Sequence, residues 1–342
     1  MIVPVYNSVD YLQVCLDALK TQDDPNFEVI LVDDGSDDNT AELCAASGFT
    51  SRSLPHNKGQ AVARNHGVQA ATGTILAFLD ADTVPPSNWV SRHRELLSEH
   101  PDAAMIVSGY SHSTSPKAAA QHAFWEVQFR REKLTTYIDS CVGSNCVVYR
   151  EAFEAVGGYP EYYLSGRQKP ETEKAVATAE DSELGYLLTQ QGFKIVWRSD
   201  NPVAHRFRES WSGYFRQQMN YSQFLVVSVC RFPKKLFQKG IYSGEAVLLQ
   251  LFCVAAFLLS PLALLLPDHG GVTALAMAGG SCLIFLVIHR RLLFHLSNEQ
   301  PGVGLLEVLS RLFVSRVFWL LGLFVGAFQG LRMLFNYHVL RR

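Results

Sequence analysis

The sequence predicts an α/β domain on a mostly parallel sheet, followed by a group of membrane helices. Three observations carry this. Short apolar runs alternate with amphipathic helical segments through residues 1–110, acidic residues concentrate before position 210, and long apolar runs fill the last third. Only 18% of the 342 residues are charged, below the roughly 25% usual in soluble chains. The deficit is confined to the last third, so a soluble front and a membrane-bound back fit better than one uniform globule. The 32 acidic and 30 basic residues nearly balance, which excludes the basic footprint of a nucleic-acid binder. The seven cysteines are odd in number and contain no CxxC pair, and Cys253 and Cys282 lie in apolar runs. Reduced thiols are expected, with neither a disulfide framework nor a zinc site.

The elements follow in order. Ile2–Val5 reads as a strand, and Asn7 or Ser8 as the cap of a helix with Leu12, Leu16 and Leu19 on one face. Phe27–Val32 is a strand, Asp38–Ala46 a helix, 51–54 a weak strand and Gln60–Ala71 a helix. Thr74–Leu79 is a continuous apolar run, as expected of a strand covered on both faces. Such repeated units imply a mostly parallel sheet flanked by helices. A helix is expected at Ala118–Leu134, a strand at Asn145–Tyr149 and a short helix to Val156 closed by Gly157-Gly158. Residues 161–179 read as a loop, Glu180–Gln191 as a helix closed by Gly192, and Phe193–Trp197 as a strand.

The domain plan is a first domain at 1–215, divided into halves 1–110 and 111–215, an interfacial helix or linker at 216–243, and a membrane domain at 244–342. Ala246–Leu266 is long enough to span a bilayer, which takes about 20 apolar residues. Val272–Ile288 is a second run, and a third lies at about 313–331, where Gly322, Gly326 and Gly330 suit close helix packing in lipid. Basic residues set the orientation. Arg231, Lys234, Lys235 and Lys239 precede the first run and His289, Arg290 and Arg291 follow the second, while the turn 267–271 carries no Lys or Arg. Both basic sets belong in the cytosol. A full third span would put Arg332, Arg341 and Arg342 outside, so a re-entrant or interfacial helix stays open there. Met1 leads almost directly into a strand, so no signal peptide is read and the front domain is expected in the cytosol. The short first strand leaves open that residues precede Met1.

Four clusters stand where strands of such a sheet end, the usual ligand-binding edge. Val3-Pro4-Val5-Tyr6-Asn7 alone is a strand leading to a cap. In Val32-Asp33-Asp34-Gly35-Ser36-Asp37-Asp38 the acids either cap the next helix or accept hydrogen bonds from a base and ribose. In the segment from His56 to Asn65, Gly59 permits close backbone approach, and Lys58 and Arg64 offer positive charge to phosphates. In Leu79-Asp80-Ala81-Asp82 two carboxylates point the same way if the strand continues. Like charges held together call for a cation, and hard oxygen donors suit Mg²⁺ or Mn²⁺, which would also bridge a diphosphate.

The order VPVYN, VDDGSDD, NKGQAVARN, LDAD resembles the family 2 glycosyltransferases of the GT-A fold, whose nucleotide-diphospho-sugar transferase domain is a mostly parallel sheet flanked by helices. Gly143-Ser144-Asn145, Gly157-Gly158-Tyr159-Pro160-Glu161 and Glu180-Asp181-Ser182-Glu183-Leu184 continue the likeness, which covers roughly residues 1–215. The resemblance implies that Pro4, Tyr6, Asn7, Asp33 and Asp34 hold base and ribose, with Lys58, Arg64 and Asp80 completing the nucleotide-sugar site. Asp80 and Asp82 resemble the DxD pair, and His205 resembles a late histidine that touches metal or diphosphate. Gly143, Ser144, Asn145 and Glu180 would line the acceptor side, and Asp181 would be the catalytic base of an inverting transfer. A QxxRW motif, seen in processive polysaccharide synthases, is absent around Gln217 and Gln218, which favours transfer of one or few sugars. The expected partners are a nucleotide-sugar, UDP-linked by default, a lipid-linked or glycan acceptor in cell-surface polysaccharide or glycolipid synthesis, and membrane lipids. The expected place is the inner membrane, multi-pass, with the catalytic domain cytoplasmic. The competing readings are a membrane-anchored nucleotide-sugar-binding scaffold and a sugar nucleotidyltransferase. The latter lacks its GxGxR-type loop here.

Overall fold

The computed structural model describes residues 1–132, 134–161, 180–232, 244–265, 270–300 and 302–340. The expected loop at 161–179 lies almost entirely outside them, as does the later part (233–243) of the expected interfacial helix or linker at 216–243. The chain forms two compact units. One holds Met1–Thr114, Lys133–Arg206 and Leu331–Arg342, and the other Ser115–Glu132 and Phe207–Gly330. The boundary therefore falls near 206 rather than 215, and the stretch around 118–131 belongs to the second unit rather than to the first domain.

The first unit is a nine-stranded sheet. Its strands are β1 Ile2–Val5, β2 Ile30–Asp33, β3 Thr50–Ser53, β4 Ile75–Leu79, β5 Thr83–Val84, β6 Ala103–Ser113, β7 Tyr137–Ile138, β8 Asn145–Tyr149 and β9 Lys194–His205. They run in the order β3-β2-β1-β4-β8-β6-β9-β5, with β7 also on β9. The half made of β3, β2, β1 and β4 is parallel. The other half is mixed, because β8 runs antiparallel to β4 and β6, and β5 and β7 run antiparallel to β9. The mostly parallel expectation thus holds for the first half of the sheet and is corrected in the second.

Side-chain alternation assigns the two faces. Val3, Val5, Leu31 and Leu79 join Leu12, Leu16 and Leu19 of α1 (Leu12–Lys20) and Trp89, Leu96 and Leu97 of α4 (Trp89–Glu99). Ile2, Leu76, Phe78, Met105, Cys146 and Val148 join Phe153 of α6 (Arg150–Ala155) and Leu184 and Leu188 of α7 (Glu180–Gln190). Ile30 and Val32 pack with Ala63 of α3 (Gln60–Ala70). α2, Thr40–Ala46, also belongs to this unit. Neither Asn7 nor Ser8 caps α1. A turn from Ser8 to Tyr11 intervenes, Asn7 stands at φ +47°, and the Ser8 hydroxyl bonds Tyr6 and Tyr11 instead. Gly157 and Gly158 both have positive φ and close α6 as expected.

The second unit is helical: α5 Ala118–Arg131, α8 Trp211–Arg231, α9 Gly244–Leu259, a 3-10 segment Ser260–Leu265, α10 Gly270–Glu299 and the part of α11 (Leu305–Leu340) up to Gly330. Among the described residues, two helices are long and apolar enough to cross a membrane, Gly271–Glu299 and Leu305–Leu331. The most apolar stretch of the first has mean hydropathy 2.2 and is only 11% buried, so most of it faces outward. The first apolar run is not one continuous span, since the α-helix ends at Leu259 and tightens into the 3-10 segment before Pro267. The third is a single unbroken helix. Its glycines face α8, where a Cβ at Gly322 would meet the Met219 carbonyl and one at Gly326 the Gln223 backbone.

Candidate active site

The sequence-predicted residues gather at the carboxyl ends of β1, β2 and β4, at the far end of β9 and at the start of α7, all in the first unit. Asp33 ends β2 and is buried; its Oδ1 accepts from the Ser36 amide at 3.1 Å and the Ser36 hydroxyl at 2.5 Å. Asp34, also buried, accepts from the amides of Lys58 at 2.7 Å and Gly59 at 2.9 Å. That pair of bonds pins the turn entering α3. Gly35 and Gly59 have φ of +69° and +99°, and a Cβ at Gly35 would run into the His56 backbone. Pro4 lies within β1 opposite Val32. Tyr6 follows at the strand end with an exposed ring, and Asn7 bonds Ser36 and Asp37 through its amide and side chain.

The Asp80 and Asp82 carboxylates part company because β4 stops at Leu79. Asp80 Oδ1 accepts from Arg64 Nη2 at 2.8 Å and Gln60 Nε2 at 3.0 Å. Asp82 is turned the other way by the pairing of β5 with β9, whose register sets Thr83 against His205. Its Oδ1 lies 3.4 Å from His205 Nε2. The Tyr110 ring stacks on that imidazole with centroids 4.6 Å apart, and its hydroxyl lies 2.5 Å from Ser144 Oγ. A carboxylate and an imidazole make a donor pair that suits Mn²⁺ or Mg²⁺ once a diphosphate and water complete the shell. Among the described residues no group of three His, Cys, Asp or Glu side chains is placed to hold a metal alone.

Arg64 is fully buried in α3, with Nη1 2.9 Å from Asp181 and 3.4 Å from Glu180. With Asp80 it is bracketed by three carboxylates. Burial raises the Asp181 carboxyl above the usual carboxylate range, against the pull of Arg64. Burial also pushes Glu180 up to about 8, with the neighbouring Asp181 charge adding to it. Gly143 packs against this group, and its amide hydrogen-bonds Asp181. Asn145 is fully buried and structural, tying Trp89 to the carbonyls of Gly109 and Asn201.

Several participants lie in or beside the sequence motifs, which assign them no role. Tyr159 lies under the Arg64 guanidinium at 5.0 Å, and Asn65 holds the Tyr159 backbone at both its amide and its carbonyl. Gln60 was legible, since it stands four residues before Arg64 on one helix face. Tyr110 had no sequence signal.

The acids and the carboxylate–imidazole pair thus cluster at the carboxyl edge of an α/β sheet, the edge where such sheets bind ligands. The family model "Glycosyl transferase family 2" matches residues 1–157. The putative glycosyltransferase EpsH of Bacillus subtilis is 34% identical over 257 residues, 73% of this chain and 68% of EpsH. This chain belongs to glycosyltransferase family 2. Glycosyltransferase AglE of Haloferax volcanii is 30% identical over 55% of this chain, and the match spans 62% of AglE. In fold the chain is similar to the mannosyltransferase PcManGT from Pyrobaculum calidifontis, solved with GDP-Man and Mn²⁺. The TM-score is 0.54 and the identity 18%, over 96% of this chain and 86% of that one.

Proposed function

We propose that this chain is an inverting glycosyltransferase that moves a sugar from a nucleoside-diphosphate sugar to a lipid-linked or other glycan acceptor at the cytoplasmic face of a membrane. The observation that carries this reading is the Asp82–His205 pair at 3.4 Å, held at the same sheet edge as Asp80 and Asp181. The ends of β1 and β2, with Pro4, Tyr6, Asn7, Asp33, Asp34 and Lys58, form the base and ribose side. Asp82 and His205 would hold a divalent ion, whose charge would offset that of the departing diphosphate. Asp181 takes the proton of the acceptor hydroxyl. The oxygen then attacks the anomeric carbon as the bond to the diphosphate breaks. Gly143, Ser144 and Glu180 stand on the acceptor side.

The two long apolar helices support a membrane setting. The basic residues flanking them support a cytoplasmic domain. Anchoring beside a lipid-linked acceptor would raise its effective concentration. UDP is the default base, and GDP is tested beside it because PcManGT was solved with GDP-Man. The test is isothermal titration of the detergent-purified protein with UDP and GDP, with Mn²⁺ and then with EDTA, alongside Asp82→Ala. Metal-dependent binding of one nucleotide, lost in the variant, is expected. No binding of any nucleotide would overturn the transferase reading in favour of the scaffold.

A further inference from the structure

We propose that Arg64 is a positioning residue: its guanidinium sets the Asp181 and Asp80 carboxylates relative to each other and does not touch the donor diphosphate. The inference rests on the transferase reading and reassigns one residue within it.

Four observations carry it. Arg64 has no exposed surface, so its charge is already committed inside the protein. Its two terminal nitrogens go to different elements, Nη2 to Asp80 at the end of β4 at 2.8 Å and Nη1 to Asp181 in the first turn of α7 at 2.9 Å. A planar fork with fixed nitrogen spacing converts those two bonds into a fixed separation between the carboxylates. There is also no room to swing away. The Tyr159 ring lies 5.0 Å from the guanidinium carbon, and a Cβ at Gly143 would stand 2.8 Å from that carbon. Finally, the base of the fork is braced, because Asn65, the next residue of α3, holds the Tyr159 backbone with bonds of 2.8 and 2.9 Å.

The consequence is mechanical. Asp80 neighbours the Asp82–His205 pair on the leaving-group side, and Asp181 is the base on the acceptor side. Arg64 ties the two sides together, reaching Asp80 16 residues away in sequence and Asp181 117 residues away. It also supplies a positive charge among three carboxylates, which would otherwise repel one another. Losing it should blunt the transfer step and leave donor binding nearly intact.

The experiment uses the full chain in detergent. Titration with UDP and GDP in Mn²⁺ gives Kd, and release of the nucleoside diphosphate from the matching nucleotide-sugar, with water as acceptor, gives kcat and KM. R64Q is expected to lower kcat by about 100-fold or more while Kd and KM stay within about threefold, and R64K to recover part of kcat through its single charge. In a D181N background R64Q should lower kcat little further, because the arginine acts through that carboxylate. A rise of Kd by tenfold or more in R64K or R64Q, with kcat at saturation unchanged, overturns the proposal and makes Arg64 a diphosphate ligand. Equal additive losses in the D181N background overturn it too. If R64Q does not fold, R64K carries the same reading. Failure of the wild-type protein to bind either nucleotide is a separate result and sinks the transferase reading itself.

Discussion

In the sheet unit one arginine is buried among three carboxylates. In the helical unit one carboxylate is buried among two arginines and a tyrosine. Glu126 of α5 receives Arg130 at 2.5 Å, Arg316 of α11 at 3.4 Å and the Tyr214 hydroxyl of α8 at 2.6 Å. Both clusters are ionic and both centres are sealed, yet they differ in surplus and in access. Around Arg64 the surplus is negative and the acids stay open, with side chains 15–29% exposed. Around Glu126 the carboxylate itself is 2% exposed, Arg316 7% and Arg130 15%. Burial would push the Glu126 carboxyl up, but Arg130 and Arg316 together hold it down at about 2, so it stays ionised. The open, over-charged cluster is the one proposed to take the proton of an acceptor. The closed one can only hold helices in place. Burial of charge alone therefore does not mark a site; burial of the partner with the acids left accessible does.

The sharpest way to break this comparison is Asp181→Asn. The amide keeps the shape and removes the proton acceptor, so turnover should fall by about 10²–10⁴ with nucleotide affinity unchanged. Steady-state release of the nucleoside diphosphate beside isothermal titration reads both. A variant that keeps turnover would move the chemistry elsewhere. The matching change in the helical unit is Glu126→Ala. Removing one partner of a buried ion pair costs about 3–5 kcal/mol, so thermal unfolding in detergent should drop clearly while turnover per folded molecule stays. An unchanged melting temperature would show that the cluster holds nothing.

The sheet unit offers a third test, one that separates buried titratable groups from the site acids. His93 is enclosed in α4 beside Trp89 and Asn201, and burial lowers its pKa from 6.5 to about 4. The unfolded chain thus takes up this proton first as pH falls. The stability His93 contributes is fully present above 6.5 and is lost progressively down to about 4. The full loss is on the order of 3 kcal/mol. Denaturant titration of wild type and His93→Asn across that window should show a steeper pH dependence in the wild type. Parallel curves would mean that His93 does not stay neutral in the folded chain.

The contrast also explains what the sequence could reveal. β1, β2, β4, α3 and α7 were legible because their apolar periodicity is local. β6 was not, since it pairs the small Ala103-Ala104 with a polar Ser111-His112-Ser113 end, and only its place between β8 and β9 makes it a strand. The acids were legible as types at strand ends. Their grouping was not, because the separation of Asp80 from Asp82 follows from the long-range register of Thr83 with His205. Arg64 showed its charge in the sequence, but its partners come from positions 80, 180 and 181, so the sequence suggested a phosphate where the fold supplies carboxylates. Of the Glu126 cluster only Arg130, four residues on in the same helix, is within local reach; Arg316 and Tyr214 come from distant positions and were invisible for the same reason.

The smallest expected effect lies within the helical unit and separates two glycines that look alike in sequence. At Gly326 an added Cβ would stand 2.7 Å from the Gln223 carbonyl oxygen and 2.9 Å from its Cα, so the α8 backbone itself would have to give. At Gly330 the nearest atom, at 2.9 Å, is the Cys230 sulfur, the end of a side chain that can turn aside. Overpacking against fixed atoms costs about 1–3 kcal/mol, so Gly326→Ala should lower thermal stability visibly. Gly330→Ala should be nearly neutral, because a glycine-to-alanine change in a helix otherwise gains about 1 kcal/mol in propensity. Equal effects at the two positions would mean that α8 and α11 pack more loosely than the glycine spacing implies. The closed cluster at Glu126 would then be left as the main contact fixing their register.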